Sequence, residues 1–238
     1  MKREQSPARV EAHPLPGWWG KLPGMGDFAH RRLPDEFRHA WDHWLQAGLL
    51  QLRARHADWT GRYLSAPLWC FMLGDGVIGA GAWMGVLMPS VDAVGRYFPF
   101  TVADAMGPGP ARLHGPMLAH ARHWLERAAQ CAIDGLEQDL DALRFDALVL
   151  QRFGDGAGTG AAPGEPPLPG DAADGEGGDD GAQDAGEPIG LALPEFGQSL
   201  WFTDPAARGG QGMSTLGLPQ DEQFDALFGF PAGDVADQ

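Results

Sequence analysis

Residues 154–188 constrain the fold of this 238-residue chain more than any other stretch. Of its 35 residues, 11 are Gly, 9 are Asp or Glu, 7 are Ala and 5 are Pro, and none is aromatic or basic. Such a segment buries too little apolar surface to offset the entropy lost on ordering, so we predict a disordered acidic linker. It lacks the strict nonapeptide period of calcium-binding repeats. The core must therefore form from the residues on either side.

The net charge of −15 is unevenly distributed. Residues 1–153 carry 16 basic and 16 acidic side chains, whereas residues 154–238 carry one basic residue, Arg208, against 16 acidic ones. Because no basic stripe is present, we expect no nucleic-acid partner. We also find no signal-peptide pattern and no apolar run long enough to span a bilayer, which predicts a cytoplasmic protein without membrane insertion.

Along the chain, the hydrophobic pattern alternates between strand and helix periods. Strands are predicted at Trp18-Trp19, three times between residues 66 and 103, and at 199–203. Helices are predicted from Pro34 to about residue 57, near 113–128, near 136–148 with an interruption close to Gly135, and after Leu218. The chain after the linker is too short to form its own core, so we predict that the linker is an insertion within one domain.

These predictions divide the chain into five parts. A flexible arm (1–16) precedes an α/β core (17–153). The disordered linker (154–188) is followed by a C-terminal strand and helix that complete the core (189–229) and by a flexible tail (230–238).

No metal or cofactor site is predicted. Cys70 and Cys131 are isolated and behave as small apolar residues. His39 and His43 lie four residues apart, but the adjacent Glu of zinc hydrolase helices is missing, so we predict an exposed face. The Gly24–Asp27 turn lacks both the third Gly of a dinucleotide fingerprint and the Gly-Lys-Ser/Thr of a P-loop.

The stretch Gly85–Val102 predicts two strands joined by a polar loop that carries Ser90, Asp92 and Arg96. One hypothesis is a hydrolase that uses Ser90 with Asp27 or Asp92, but neither a GxSxG nor an SxxK pattern surrounds the serine. We favour an Asp92–Arg96 ion pair that fixes the loop. A third hypothesis is that the cluster, together with Lys21 and Asp27, forms a surface patch that binds a partner.

Nine tryptophans are many for a chain of this length. Core packing explains most of them. Trp18, Trp19 and Trp201 are alternatively candidates for interface anchors, because Trp is enriched among binding hot spots.

Five segments, in this order, resemble the TagF family of type VI secretion-associated proteins, also called ImpM: GWWGKLPGMGDF, SAPLWCFML, GVLMPSVDAVGRYFPFTV, SLWFT and GLPQDEQFDALF. The resemblance is dense over residues 17–103 and looser over 199–229. It implies an α/β fold of three layers, with a mixed β-sheet between helices. It also implies a cytoplasmic accessory protein that represses the secretion system after translation, in connection with a forkhead-associated scaffold protein and a threonine phosphorylation pathway.

The resulting prediction is a non-catalytic regulator that binds a type VI secretion component. Its candidate partner-binding or loop-fixing residues are Lys21, Asp27, Ser90, Asp92 and Arg96. The alternatives are a serine/aspartate-dependent hydrolase and a small-ligand or nucleotide sensor, which would use loops 21–31 and 89–97. The oligomeric state stays open.

Overall fold

A seven-stranded sheet forms the middle of the fold in a computed structural model, which describes residues 15–154, 190–205 and 210–230. Apart from Gly154, the predicted linker lies outside the described residues. So do most of the predicted arm and nearly all of the predicted tail.

The sheet has the strand order β2-β1-β5-β4-β3-β8-β9. Its strands are β1 Gly17–Lys21, β2 Phe28–Arg31, β3 Trp69–Leu73, β4 Trp83–Met88, β5 Phe100–Ala105, β8 Gln198–Phe202 and β9 Gly212–Leu216. A separate two-stranded sheet pairs β6 Arg112–Leu113 with β7 Leu191–Ala192. The strands that follow the predicted linker thus lie in the same sheet as those that precede it, because β8 pairs with β3.

Helices cover both faces of the large sheet. They are α1 Asp35–Arg55, α2 Trp59–Ser65, α3 Gly115–Glu137, α4 Ala142–Gly154 and α5 Asp221–Leu227. Buried residues of α1, α2 and α5 pack on one face, and those of α3 and α4 pack on the other. The predicted three-layer α/β architecture is therefore confirmed.

Strand β3 shows why the sequence of a central strand is apolar at every position and does not alternate between apolar and polar residues. All five of its residues are buried. Trp69, Phe71 and Leu73 face the α1 side, whereas Cys70 and Met72 face the α3 side. A strand covered on both faces needs apolar side chains at every position.

Helix α1 begins after Pro34, and Asp35 and Glu36 occupy its first turn, where negative charge interacts favourably with the helix dipole. Its apolar residues recur at a spacing of three or four, and one face is buried against the sheet. The Nε1 of Trp41 donates to Thr101 Oγ1 at 2.9 Å, and that of Trp44 donates to the Pro219 carbonyl at 2.7 Å. These two bonds join the helix to β5 and to the segment that enters α5.

The sheet differs in one respect from the predicted mixed sheet, because all six of its strand pairs are antiparallel. Helices α1 and α2 carry the chain from edge strand β2 to β3, which is not a neighbour of β2. Strands and helices therefore alternate in sequence without forming a parallel pair. Periodicity identifies the faces of a strand but not its direction.

The helix interruption predicted near Gly135 lies several residues further along the chain. Helix α3 continues through Gly135 to Glu137, and α4 starts at Ala142. A Cβ on Gly135 would lie 2.7 Å from the Phe145 ring. The glycine thus permits close packing of α4 on α3 and does not end the helix.

The suggestion that three tryptophans anchor an interface is also wrong. Trp18, Trp19 and Trp201 are buried at 0%, 5% and 0% exposure. The Nε1 of Trp18 donates to Asp146 Oδ1 at 3.1 Å, and that of Trp201 donates to Ser199 Oγ at 2.8 Å. Their rings belong to the two cores of the sandwich.

Candidate functional site

A buried ion pair joins β1 to the connection between β4 and β5. Lys21 is the last residue of β1, and its Nζ lies 2.5 Å from Asp92 Oδ2. Both residues are 4% exposed. Two charges removed from water in this way need further hydrogen bonds to offset their desolvation.

Asp92 receives those bonds from its own loop. Its Oδ1 accepts from the backbone N–H of Val94 at 3.1 Å and of Arg96 at 2.9 Å, and its Oδ2 accepts from Arg96 Nε at 2.7 Å. A carboxylate that binds backbone N–H groups two and four residues ahead closes a tight turn. The Asp92–Arg96 pair therefore has the geometry that fixes a loop, although 55% of the Arg96 side chain is exposed.

Opposing effects act on the pKa of Asp92. Burial disfavours the charged carboxylate and raises the pKa. The Lys21 ammonium, the Arg96 guanidinium and the two backbone N–H groups together outweigh burial and hold the pKa well below the ordinary value of 3.8. Asp92 is therefore ionised at neutral pH.

Ser90 is held by backbone and aromatic partners and not by a catalytic base. Its hydroxyl donates to the Lys21 carbonyl at 2.6 Å, and the residue is 1% exposed. Tyr63 of α2 clamps its backbone: the Tyr63 hydroxyl donates to the Ser90 carbonyl and accepts from the Ser90 N–H, both at 3.1 Å. Burial raises the pKa of Tyr63 well above its usual range. A serine needs a neighbouring base to act as a nucleophile, and this arrangement supplies none.

The turn between β1 and β2 accepts hydrogen bonds from the loop that carries Asp92. The Ala93 N–H donates to the Met25 carbonyl at 2.9 Å, and Arg96 Nη2 donates to the Gly26 carbonyl. Asp27, in contrast, is exposed and accepts from the adjacent Phe28 N–H at 2.8 Å. Of the five predicted residues, the structure thus brings together Lys21, Ser90, Asp92 and Arg96 and leaves Asp27 at the surface.

The exposed residues of these two connections, 26–28 and 93–96, form a continuous surface that we call the loop surface. Val94 is 67% exposed at its tip, and Phe28 is 40% exposed. The Phe28 ring stacks on Trp19 at 5.5 Å and meets Phe98 edge-on at 4.8 Å.

Phe28, Tyr63 and Val94 are not among the five predicted residues, although Phe28 and Val94 lie in the predicted loops 21–31 and 89–97. Tyr63 and Phe28 belong to short elements, α2 and β2, whose apolar pattern is too brief to be recognised. The sequence pattern places Val94 in a polar loop and does not single it out.

Charged clusters away from the loop surface include one between α1 and α5 and one that joins α4 to the β1–β2 region. Asp225 of α5 accepts from Arg55 at 2.7 and 2.8 Å, and its Oδ2 lies 2.9 Å from His56 Nε2. Asp146 of α4 accepts from Arg32 at 2.6 Å, and the Arg32 and Trp18 bonds outweigh burial and lower its pKa. Each cluster joins a helix to another part of the fold.

Within residues 15–154, 190–205 and 210–230, no group of three or more His, Cys, Asp or Glu side chains is placed to hold a metal ion. His39 and His43 are exposed on α1, as predicted. None of the helices in that part of the chain is long and apolar enough to cross a membrane.

The family signature overlaps both halves of this site. Residues 17–151 match the TagF N-terminal domain, which is described as type VI secretion system-associated. The chain belongs to the TagF family. The matched range contains Lys21, Ser90, Asp92 and Arg96, so the whole polar network lies within the TagF domain. No curated protein was found to match this TagF-family chain.

A solved structure is similar to nearly the full length of this TagF protein. It is the crystal structure of PA0076 from Pseudomonas aeruginosa PAO1, which is 28% identical in sequence. The TM-score is 0.62, and the match covers 90% of this chain and 93% of PA0076. The similarity therefore extends beyond the TagF N-terminal domain. This protein is accordingly a type VI secretion system-associated protein of mixed α/β structure.

Proposed function

We propose that this TagF protein is a non-catalytic, cytoplasmic accessory protein that represses a type VI secretion system after translation. It does so by binding a component of that system, with a forkhead-associated scaffold protein as the partner. The loop surface, built from parts of loops 21–31 and 89–97, makes the contact and occupies a surface that assembly requires.

The observation that carries this proposal is the buried network beneath the loop surface. The Lys21–Asp92 pair and the Tyr63 clamp on Ser90 hold both connections to the sheet. A surface that is already ordered loses less conformational entropy on binding than a mobile one. The network thus supports a recognition surface better than it supports catalysis.

The same contacts argue against the hydrolase alternative. The Ser90 hydroxyl is directed at a backbone carbonyl, and the Asp92 carboxylate is already engaged by two cations and two N–H groups. Asp92 is therefore not free to take the proton of the Ser90 hydroxyl, as a hydrolase mechanism would require. No observation favours the small-ligand sensor.

A binding and secretion experiment tests the proposal. Val94→Glu places a charge at the exposed tip of the loop surface, and Leu216→Glu makes a similar change at an 84% exposed position in edge strand β9. We expect Val94→Glu to weaken binding to the purified scaffold protein and to relieve repression, and Leu216→Glu to do neither. If the wild-type protein captures no secretion component and its deletion leaves secretion unchanged, the proposal is wrong.

A further inference from the structure

An open groove runs along α1 beside the loop surface. It has a volume of about 490 Å³ and is lined by His43, Gln46, Ala47, Leu49, Leu50, Arg53 and Phe98. We call it the α1 groove. The exposed lining residues of α1 recur at a spacing of three or four and therefore form one stripe. Leu50 lies in this stripe and is 69% exposed. A concave surface lined by apolar residues with a few polar groups among them is the usual composition of a binding site.

The charge of the α1 groove is one-sided. Arg53 lines it, and none of its lining residues is acidic. Arg53 has no carboxylate within ion-pair distance among the described residues, although most arginines near it on α1 and α2 do have one. The groove therefore presents a cation that is available to an anionic partner.

The Arg53 guanidinium is also held in place. It lies 4.5 Å above the Trp59 ring, and its Nη2 is 3.4 Å from the Tyr97 carbonyl. Trp59 in turn meets Tyr97 edge-on at 5.2 Å. A guanidinium supported by an aromatic ring and a carbonyl loses less rotamer entropy when it pairs with a carboxylate.

The groove and the loop surface are physically continuous. Phe98 lines the groove and also contacts Phe28, which belongs to the loop surface. Tyr97, which Arg53 contacts, directly follows Arg96 of the loop surface. A single partner can therefore cover both.

We propose that the α1 groove binds an acidic segment of the partner protein that carries a large apolar side chain. That side chain packs on the exposed Leu50, and a neighbouring carboxylate pairs with Arg53. This inference rests on the proposed function and names the chemistry of the partner. Charge complementarity and the exposed leucine select a peptide segment with both properties.

Two pairs of charge substitutions test the groove in the full-length protein. Leu50→Glu is matched by Leu143→Glu, because Leu143 is 72% exposed on α4. Arg53→Glu is matched by Arg144→Glu, because the Arg144 side chain is 73% exposed. Affinity for the purified forkhead-associated scaffold protein is measured by calorimetry at low and high salt, and circular dichroism melts establish that each variant is folded.

We expect Leu50→Glu and Arg53→Glu each to weaken binding by about tenfold or more, and both controls to stay within about twofold of wild type. Arg53→Glu should also reduce or reverse the salt dependence of the affinity, because an attractive charge pair is replaced by a repulsive one. If Val94→Glu abolishes binding while both groove variants bind like wild type, the groove inference is wrong and the proposed function stands. If the wild type binds no secretion component, the proposed function itself fails.

A photo-crosslinking residue at position 50 identifies the occupant. We expect an adduct in an acidic segment of the scaffold protein that contains a leucine, isoleucine or phenylalanine. An adduct confined to residues 155–189 of the same chain, or to a second copy of the chain, would overturn the inference.

Discussion

Lys21 Nζ and Asp92 Oδ2 are 2.5 Å apart in the folded protein although 71 positions separate the two residues in sequence. Lys21 ends β1, and Asp92 lies in the connection from β4 to β5. The pair is buried, and it supports the loop surface from beneath. A substitution in this buried pair therefore changes the stability of the loops without changing the exposed side chains at the tip of the loop surface.

We expect Asp92→Asn to destabilise the protein by about 3–5 kcal/mol, because the buried Lys21 ammonium loses its counter-ion. Asp27→Asn is the matched control. It alters an exposed carboxylate of the same loop surface and should change the free energy of unfolding by less than about 0.5 kcal/mol. Denaturant titration of both variants measures the difference. Equal stabilities would contradict the assignment of Asp92 as the centre of the network.

The lowered pKa of Asp92 makes stability depend on pH in the acid range. Because the folded-state pKa lies below the ordinary value of 3.8, the unfolded chain binds the proton more tightly. The contribution of Asp92 is therefore fully present above about pH 4 and is lost as the pH falls through the folded-state pKa. Denaturant titrations across this range should show a shallower acid loss in Asp92→Asn than in wild type. An unchanged slope would show that Asp92 does not carry this dependence.

The contribution of Asp104, in β5, to stability should depend on pH in the opposite sense to that of Asp92. Burial raises its pKa to about 7, against smaller opposing effects of the Ala105 N–H and the Arg32 charge. The folded state thus binds the proton more tightly, so this group contributes stability below about pH 4 that is lost as the pH rises to 7.

We expect Asp104→Asn to stabilise the protein at pH 8 by about 1–3 kcal/mol and to have little effect at pH 4. The amide keeps an oxygen that can accept from the Ala105 N–H, which Asp104 Oδ1 binds at 2.9 Å. Thermal and denaturant unfolding at the two pH values measure the change. Asp75→Asn, at an exposed position, is the control and should be neutral at both. Destabilisation of Asp104→Asn at pH 8 would contradict the prediction.

Tyr63→Phe tests the clamp on the loop. The substitution removes the acceptor of the buried Ser90 N–H, whereas the Ser90 carbonyl keeps a bond from the Phe98 N–H at 3.1 Å. We expect a loss of about 1–3 kcal/mol, which is typical of one buried donor left unpaired. Hydrogen exchange should show faster exchange at Ser90 than in wild type. Unchanged protection at that amide would show that the clamp is not needed.

Two glycines in neighbouring helices should respond to alanine with opposite signs. In α1, a Cβ on Gly48 would lie 2.3 Å from the Phe224 ring of α5, so Gly48→Ala should destabilise by about 1–3 kcal/mol through overpacking. In α2, nothing lies within 4 Å of a Cβ on Gly61. Gly61→Ala should stabilise by about 0.5–1 kcal/mol, because alanine has the higher helix propensity. Thermal melts compare the two, and the same sign for both would refute the packing argument.

The sequence by itself determined the elements whose patterns are long or strongly apolar. The aromatic face of α1 and the apolar runs of β3 and β4 are examples, because the burial of a whole face imposes a period that is readable without a structure. The segments around GKLP and MPSVD also indicated the TagF family. Short elements escaped prediction: β2 has one buried residue in four, and α2 has one buried residue, Tyr63.

Only the tertiary structure decided which residues meet. Strand β1 lies beside β5, and β8 lies beside β3, and neither neighbour follows from local periodicity. The sequence pattern predicted the Asp92–Arg96 pair because both residues lie in one loop. It offered Lys21 and Asp27 as equal members of a patch, whereas the fold buries Lys21 against Asp92 and leaves Asp27 in solvent. The physical reason is that local patterns report the burial of a face, whereas contacts across the sheet depend on strand order and register.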